Sequence, residues 1–188
     1  MPVRRPHERR PRQLPEIEYA ELVDVRSQAE LEAALRRQDR SRRRLLRPRS
    51  RIPSLVPVCR GTGAYEVRGD AYLHARDRVE VDAHDDAYVF AHDRAQVVAH
   101  DHVTVEADGH SHVSAYDRAQ VRASGVVTVE AAGHTEVYAP HRVRVSAREQ
   151  ARVVATDRAE VEAFDTVEIE ADGDALVRAA PTVRLLPR

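Results

Sequence analysis

The stretch that decides the fold is residues 97–123, which read VVAHDHVTVEADGHSHVSAYDRAQVRA. An alanine recurs in it every eight residues, and a valine lies two residues before each of these alanines. The same spacing extends in both directions, so that fourteen alanines occur at intervals of eight residues from Ala75 to Ala179. A short period that is kept over most of a chain indicates a solenoid, in which each repeat packs against its neighbours.

The eight-residue unit reads Val-x-Ala-x-(Asp/Gly)-x-(Ala/Val)-x, so its constrained positions alternate with variable ones. Alternation with a period of two is typical of a β-strand with one buried face. Aspartate and glycine, as at Asp101 and Gly109, share a tolerance of turn conformations with positive φ. Each repeat is therefore predicted to be a short strand followed by a corner. Calcium binding is the competing interpretation of these aspartates, but free replacement by glycine argues against a ligand position.

Two coil sizes are compatible with the repeat. The sequence VTVEA at 103–107 recurs at 127–131, a spacing that favours three repeats per coil. Packing favours two, because a triangular coil would enclose an interior that alanine and valine are too small to fill at the density of protein cores. We therefore predict an all-β fold, a parallel β-solenoid with 16-residue two-layer coils rather than 24-residue triangular ones.

The chain divides into three predicted segments. Residues 1–16 are rich in arginine and proline and are predicted to be a disordered tail. Residues 17–60 are predicted to contain a capping helix at about 28–38, which follows a capping box, then an arginine-rich tract and an entry strand. Residues 61–188 form the octad-repeat solenoid, whose first coil needs a cover because exposed strand edges promote aggregation.

The octad resembles the repeats of known solenoid families. In period and geometry it is similar to the bacterial ice-nucleation proteins, whose eight-residue units pair into 16-residue β-solenoid coils. It looks even more like octad-repeat proteins of actinobacterial and phage genomes with Ala-x-Asp-x-Ala-x-Val runs. The resemblance covers residues 65–185 and implies a bacterial β-solenoid. It does not extend to the outward Thr-x-Thr arrays of ice nucleators, since Thr104 and Thr128 are isolated here.

Composition limits the functional classes. The single cysteine, Cys59, excludes an intramolecular disulfide framework and fits a reducing compartment. The N-terminal residues do not contain the apolar core of a secretory signal peptide. No apolar run approaches the roughly 20 residues that a membrane helix needs. We therefore expect a cytoplasmic protein that does not associate with membranes.

The net charge of −1 conceals two oppositely charged parts. Residues 1–60 contain 16 arginines and 8 acidic residues, whereas residues 61–188 contain 14 arginines and 23 acidic residues. Arginine tracts bind phosphates without sequence preference, or they dock on an acidic surface, which the solenoid of the same chain or of another copy supplies. Nine arginines are the candidate binding residues: Arg36, Arg37, Arg40, Arg42, Arg43, Arg44, Arg47, Arg49 and Arg51.

Four rings near the start of the solenoid form a second candidate. In a 16-residue coil Tyr72 lies over Tyr88, and His74 lies over Phe90, because even positions point outward. Exposed apolar patches often mark interaction sites. These four residues are therefore predicted to bind a partner.

Histidines are a third candidate. A 16-residue coil stacks His84 on His100 with Asp86 and His102 beside them, a set that suits zinc or nickel. An ordinary exposed strand surface explains the same residues, and a cysteine partner is lacking. The sequence therefore predicts neither a metal site nor a cofactor.

Catalysis has little support in the sequence. It contains no nucleophile elbow, P-loop, dinucleotide fingerprint or zinc-protease motif, and a smooth solenoid offers no deep pocket. We predict a non-enzymatic scaffold, a rigid acidic solenoid with a basic arm for self-assembly or partner docking, and hence a homo-oligomer or a protein partner. The alternative is a nucleic-acid-related protein, in which the arm binds phosphates or the acidic rod imitates DNA.

Overall fold

The computed structural model describes residues 22–25, 29–30, 33, 45–48 and 58–187. Two parallel sheets, of nine and eight strands, face each other. The nine-stranded sheet contains β3 (Val58–Cys59), β5 (Tyr72–Ala75), β7 (Tyr88–Ala91), β9 (Thr104–Ala107), β11 (Gln120–Ala123), β13 (Glu136–Ala139), β15 (Arg152–Ala155), β17 (Glu168–Ala171) and β19 (Arg184–Leu185). The eight-stranded sheet contains β4 (Ala64–Val67), β6 (Glu80–Ala83), β8 (Gln96–Ala99), β10 (His112–Ala115), β12 (Thr128–Ala131), β14 (Arg144–Ala147), β16 (Glu160–Ala163) and β18 (Leu176–Ala179).

Consecutive strands alternate between the two sheets, so that each coil comprises two octads. Along the eight-stranded sheet Val113 pairs with Val97 on one side and Val129 on the other, a displacement of 16 residues in each direction. The predicted all-β parallel solenoid with 16-residue coils is therefore confirmed, and the 24-residue coil is excluded.

The core is a narrow layer of valine and alanine between the sheets. In most strands the second and fourth residues are buried, as Val113 and Ala115 are in β10. Small side chains suffice because each sheet closes the interior of the other, and stacked coils bring like residues into contact. The small volume of these side chains is the reason why the sequence favoured two octads per coil over three.

The corners owe their shape to the aspartate and glycine column. Asp85 and Asp101 have φ values of 62° and 55°. The Asp101 carboxylate accepts the backbone N–H of Asp85 at 3.1 Å, and the Asp85 carboxylate accepts that of Gly69 at 2.9 Å. A carboxylate in one coil thus binds the turn of the coil before it, which confirms the corner prediction.

Two corners depart from the sequence pattern. His141 and Glu149 occupy the same column with φ values of 64° and 62°. Glu149 accepts the backbone N–H of Gly133 at 2.9 Å, and the carboxylate of Asp157 accepts that of His141 at 3.3 Å. The column therefore admits side chains that the Asp/Gly consensus does not predict, since neighbouring coils supply the compensating hydrogen bonds.

A small parallel sheet precedes the solenoid. β1 (Leu22–Val25) pairs with β2 (Leu45–Pro48), and β2 lies beside β4. The strand β2 inside the arginine-rich tract was not expected from the sequence, and its Leu45 and Leu46 pair in register with Leu22 and Val23. Ala29, Glu30 and Ala33 are helical and fall within the predicted helix at about 28–38, whose capping role stays a prediction. The rest of that helix and the tail at 1–16 lie outside the described residues.

Candidate functional site

The four predicted rings come together on the outer face of the nine-stranded sheet. The β5–β7 register places Tyr72 beside Tyr88 and His74 beside Phe90. The two tyrosine rings stack with centroids 5.4 Å apart, and the His74 and Phe90 rings stack at 4.4 Å. All four side chains are half-buried. We call this group of four the aromatic patch.

Polar contacts link the aromatic patch to neighbouring residues of the same sheet. The Tyr88 hydroxyl donates a short hydrogen bond to Glu106 on β9. Burial, together with this hydrogen bond, raises the pKa of Tyr88 to about 12, so the phenol remains a donor into alkaline solution. Nδ1 of His74 lies 3.1 Å from Nε2 of His92, whose Nδ1 lies 2.9 Å from the carboxylate of Asp108.

His74 is the ring of the aromatic patch whose ordinary pKa lies near neutral pH. Its burial lowers its pKa, and the nearby charges of His92 and Arg76 lower it further. The unfolded chain therefore binds a proton at this side chain more readily than the folded chain does. By linkage, the stability contributed by neutral His74 is present above its unfolded pKa of about 6.5 and declines as the pH falls below that value.

Replacing His74 with phenylalanine will reduce the loss of stability on acidification. We expect the free energy of unfolding of the variant to fall less than that of the wild type between about pH 7.5 and about pH 5, because one proton-linked group is removed. Urea titrations at both pH values measure the difference. His134→Phe, at an exposed corner position, is the matched control and will keep the wild-type pH dependence. Parallel losses in His74→Phe and wild type would contradict this assignment.

One outward column in the other half of the same face carries charges of alternating sign. Along this column Glu136, Arg152, Glu168 and Arg184 follow one another in register. Arg184 lies 3.3 Å from Glu168, and such exposed pairs contribute little stability. Their alternation does avoid like charges on adjacent strands, which are destabilising. The aromatic patch therefore stands out chemically at the N-terminal end of the face.

The histidine stack also forms, on the eight-stranded side. The rings of His84 and His100 lie 4.9 Å apart with planes at 8°, and Tyr116 continues the column at 5.3 Å from His100. The carboxylate beside this stack is that of Asp82 and not that of Asp86, which was expected from the sequence. The available indication was that Asp82 is the outward position two residues before His84, on β6.

The arginine tract lies largely beyond the described part of the chain. Of the nine candidates only Arg47 belongs to a described element, since its backbone pairs with Asp24 between β1 and β2. The remaining eight lie outside the described residues: Arg36, Arg37, Arg40, Arg42, Arg43, Arg44, Arg49 and Arg51. Their role as binding residues stays a prediction.

Fold and surface together define a parallel β-solenoid protein that displays side chains on two sheet faces. Comparison with protein families, with curated proteins and with solved structures found no match for this chain. In the part of the chain that the structure describes, none of the helical residues belongs to a helix long and apolar enough to cross a membrane.

Proposed function

We propose that this chain is a non-enzymatic interaction scaffold, a rigid acidic rod whose basic N-terminal region docks on the solenoid of another copy. The observation that carries the proposal is the uniformity of the rod. Every strand from Tyr72 to Ala179 is four residues long, and each is joined to the next by a four-residue corner. Binding and catalytic residues are commonly placed on loops. This rod instead presents its outward side chains at fixed spacing on its sheets.

Charge supports docking between copies. The basic part, with 16 arginines against 8 acidic residues, and the acidic part, with 23 acidic residues against 14 arginines, are complementary. Outward glutamates such as Glu130 on β12 and Glu162 on β16 are exposed and offer carboxylates to arginine forks. Complementary charges accelerate association and weaken with salt.

The aromatic patch is the second contact in this proposal. Tyrosine and phenylalanine are enriched at the centres of protein interfaces because they bury a large area with few rotatable bonds. The stacking of the patch in register means that little side-chain entropy is lost when a partner covers it. We propose that a protein partner, first of all another copy, packs on these rings.

A cytoplasmic location belongs to the same proposal. Cys59 is 1 % exposed, and burial raises its pKa to about 12. The thiol therefore stays protonated and unreactive, as suits a protein that keeps its cysteine reduced.

Sedimentation velocity on the full chain tests the proposal. We expect oligomers that grow with protein concentration and dissociate at high salt. Replacing the nine tract arginines with glutamine will leave a monomer. Phe90→Ser will weaken association, whereas Tyr138→Ser will not, although Tyr138 is an outward aromatic of the same sheet with 47 % exposure. A full chain that is monomeric at every concentration in low salt would refute self-assembly.

Nucleic-acid binding is the second candidate, and the density of arginine between Arg36 and Arg51 favours it. Added duplex DNA separates the two functions in the same experiment. A monomeric chain that sediments with DNA, and ceases to do so at high salt or after the glutamine replacements, would indicate a phosphate-binding arm.

A further inference from the structure

Three ligand-type atoms converge at one edge of the eight-stranded sheet. Asp82 lies on β6, His84 follows that strand directly, and His100 occupies the equivalent place after β8. The β6–β8 register, with Ala83 beside Ala99, brings the two histidines to the same height. One carboxylate oxygen and one ring nitrogen from each histidine lie within 4.8 Å of one another.

The carboxylate at the centre of this group is unsatisfied. Oδ1 of Asp82 is buried, and none of the described residues forms a hydrogen bond with it. Nε2 of His84 lies 3.1 Å from this oxygen, and Nε2 of His100 lies 3.6 Å from it. A buried acceptor without a donor costs free energy. A cation between the three atoms would remove that cost.

The two separations between Asp82 Oδ1 and the histidine nitrogens match those of ligand atoms around one metal ion. Zinc binds histidine nitrogen and carboxylate oxygen at about 2.0–2.2 Å in tetrahedral sites, which places neighbouring ligand atoms about 3.3 Å apart. The distances of 3.1 and 3.6 Å from Asp82 Oδ1 bracket this value. Two imidazoles and one carboxylate are also a donor set that suits zinc, nickel and cobalt.

Neighbouring groups restrain the ligands without closing the site. Tyr116 stacks on His100, and Nδ1 of His100 lies 3.9 Å from the Asp117 carboxylate, so Nε2 is the nitrogen turned toward Asp82. The side chains of His84 and His100 are 23 % and 32 % exposed, which leaves a path for an ion from solvent. Three protein ligands leave a fourth position for water.

The other histidine cluster provides a contrast. His74, His92 and Asp108 form a chain of hydrogen-bond contacts. Nδ1 of His74 faces Nε2 of His92, and Nδ1 of His92 faces the Asp108 carboxylate, so each of these nitrogens already has a partner. Asp82 Oδ1 differs, because it forms no hydrogen bond with any described residue although Nε2 of His84 lies 3.1 Å from it. We propose that Asp82, His84 and His100 form a binding site for one divalent transition-metal ion of the zinc, nickel and cobalt class.

Titration of the full chain with Zn²⁺, and separately with Co²⁺, tests this site. Calorimetry should find one tight Zn²⁺ ion per chain, and Co²⁺ should give the intense visible absorption of a tetrahedral complex. Asp82→Asn and His100→Gln should each weaken binding at least tenfold, because even the loss of a group that only supports a ligand costs that much. His112→Gln is the matched control, since His112 is another half-buried outward histidine of the same sheet, and it should leave affinity unchanged.

A readout on the wild-type chain guards against variants that fail to fold. Histidine ring resonances of His84 and His100 should shift together on addition of one equivalent of Zn²⁺, ahead of those of the other histidines. Unchanged affinity in both ligand variants, or a first equivalent that moves other histidine rings instead, would overturn the proposal. Because this readout concerns metal alone, it is independent of whether copies of the rod associate.

Discussion

Aspartate in place of Val113 will unfold the central coils of the rod. Val113 is fully buried in β10, between Val97 and Val129 of the adjacent coils. An ionised carboxylate there would meet valine on both sides along the sheet, and an unpaired buried charge costs about 3–5 kcal/mol. Chemical denaturation followed by far-ultraviolet circular dichroism measures the loss.

The position of the lesion predicts how the rod fails. A solenoid coil contacts only its two neighbours, so a disrupted coil interrupts cooperativity between the parts on either side. Amide exchange should accelerate first in β8, β10 and β12. Val126→Asp is the matched control because Val126 is 48 % exposed, and its effect should stay within about 0.5 kcal/mol. Similar unfolding midpoints for the two variants would contradict the assignment of Val113 to the core.

Alanine at Gly133 will destabilise the fold more than alanine at Gly125. The two glycines have nearly the same φ, 79° and 81°, so both substitutions carry the same backbone penalty of about 1–2 kcal/mol. A Cβ at Gly133 would lie 2.9 Å from the backbone N and O of Asp117, whereas one at Gly125 would lie 3.5 Å from those of Gly109. The first distance is a clash and the second is an ordinary contact.

The difference in the free energy of unfolding between the two alanine variants therefore measures the cost of the close contact between coils at Gly133. We expect Gly133→Ala to cost about 1–3 kcal/mol beyond Gly125→Ala, as overpacking does elsewhere. The hydrogen bond from His134 N–H to the Asp117 carbonyl, at 2.6 Å, shows the close approach at this corner. Thermal unfolding of both variants measures the contrast. Equal destabilisation would mean that the coils separate at Gly133 without cost.

Much of the architecture could be predicted because the inward positions obey one rule. Valine and alanine are confined to a core of constant width, so the volume of these side chains was enough to choose 16 residues per coil. The stacks of Tyr72 on Tyr88 and of His84 on His100 then followed from the register alone. The corner conformation followed likewise from residues that tolerate positive φ.

What the sequence did not predict depends on side-chain conformation and on contacts between coils. Glu149 adopts a corner conformation that its residue type disfavours, because its carboxylate reaches the N–H of Gly133. Asp82 approaches the histidines through a rotamer that residue spacing does not specify. β2 forms in a tract whose composition is dominated by arginine, and its backbone pairs with that of β1 about twenty residues earlier in the chain.

The two-octad coil also determines on which of the two sheets each outward residue lies. Insertion or deletion of one octad keeps the core intact but transfers every later outward residue to the opposite sheet, whereas a change of two octads preserves both faces. VTVEA illustrates this, since its copies three octads apart contribute to β9 in one sheet and to β12 in the other. A gene for such a rod can therefore change its length in small steps, but it retains an established surface only when it gains or loses whole coils.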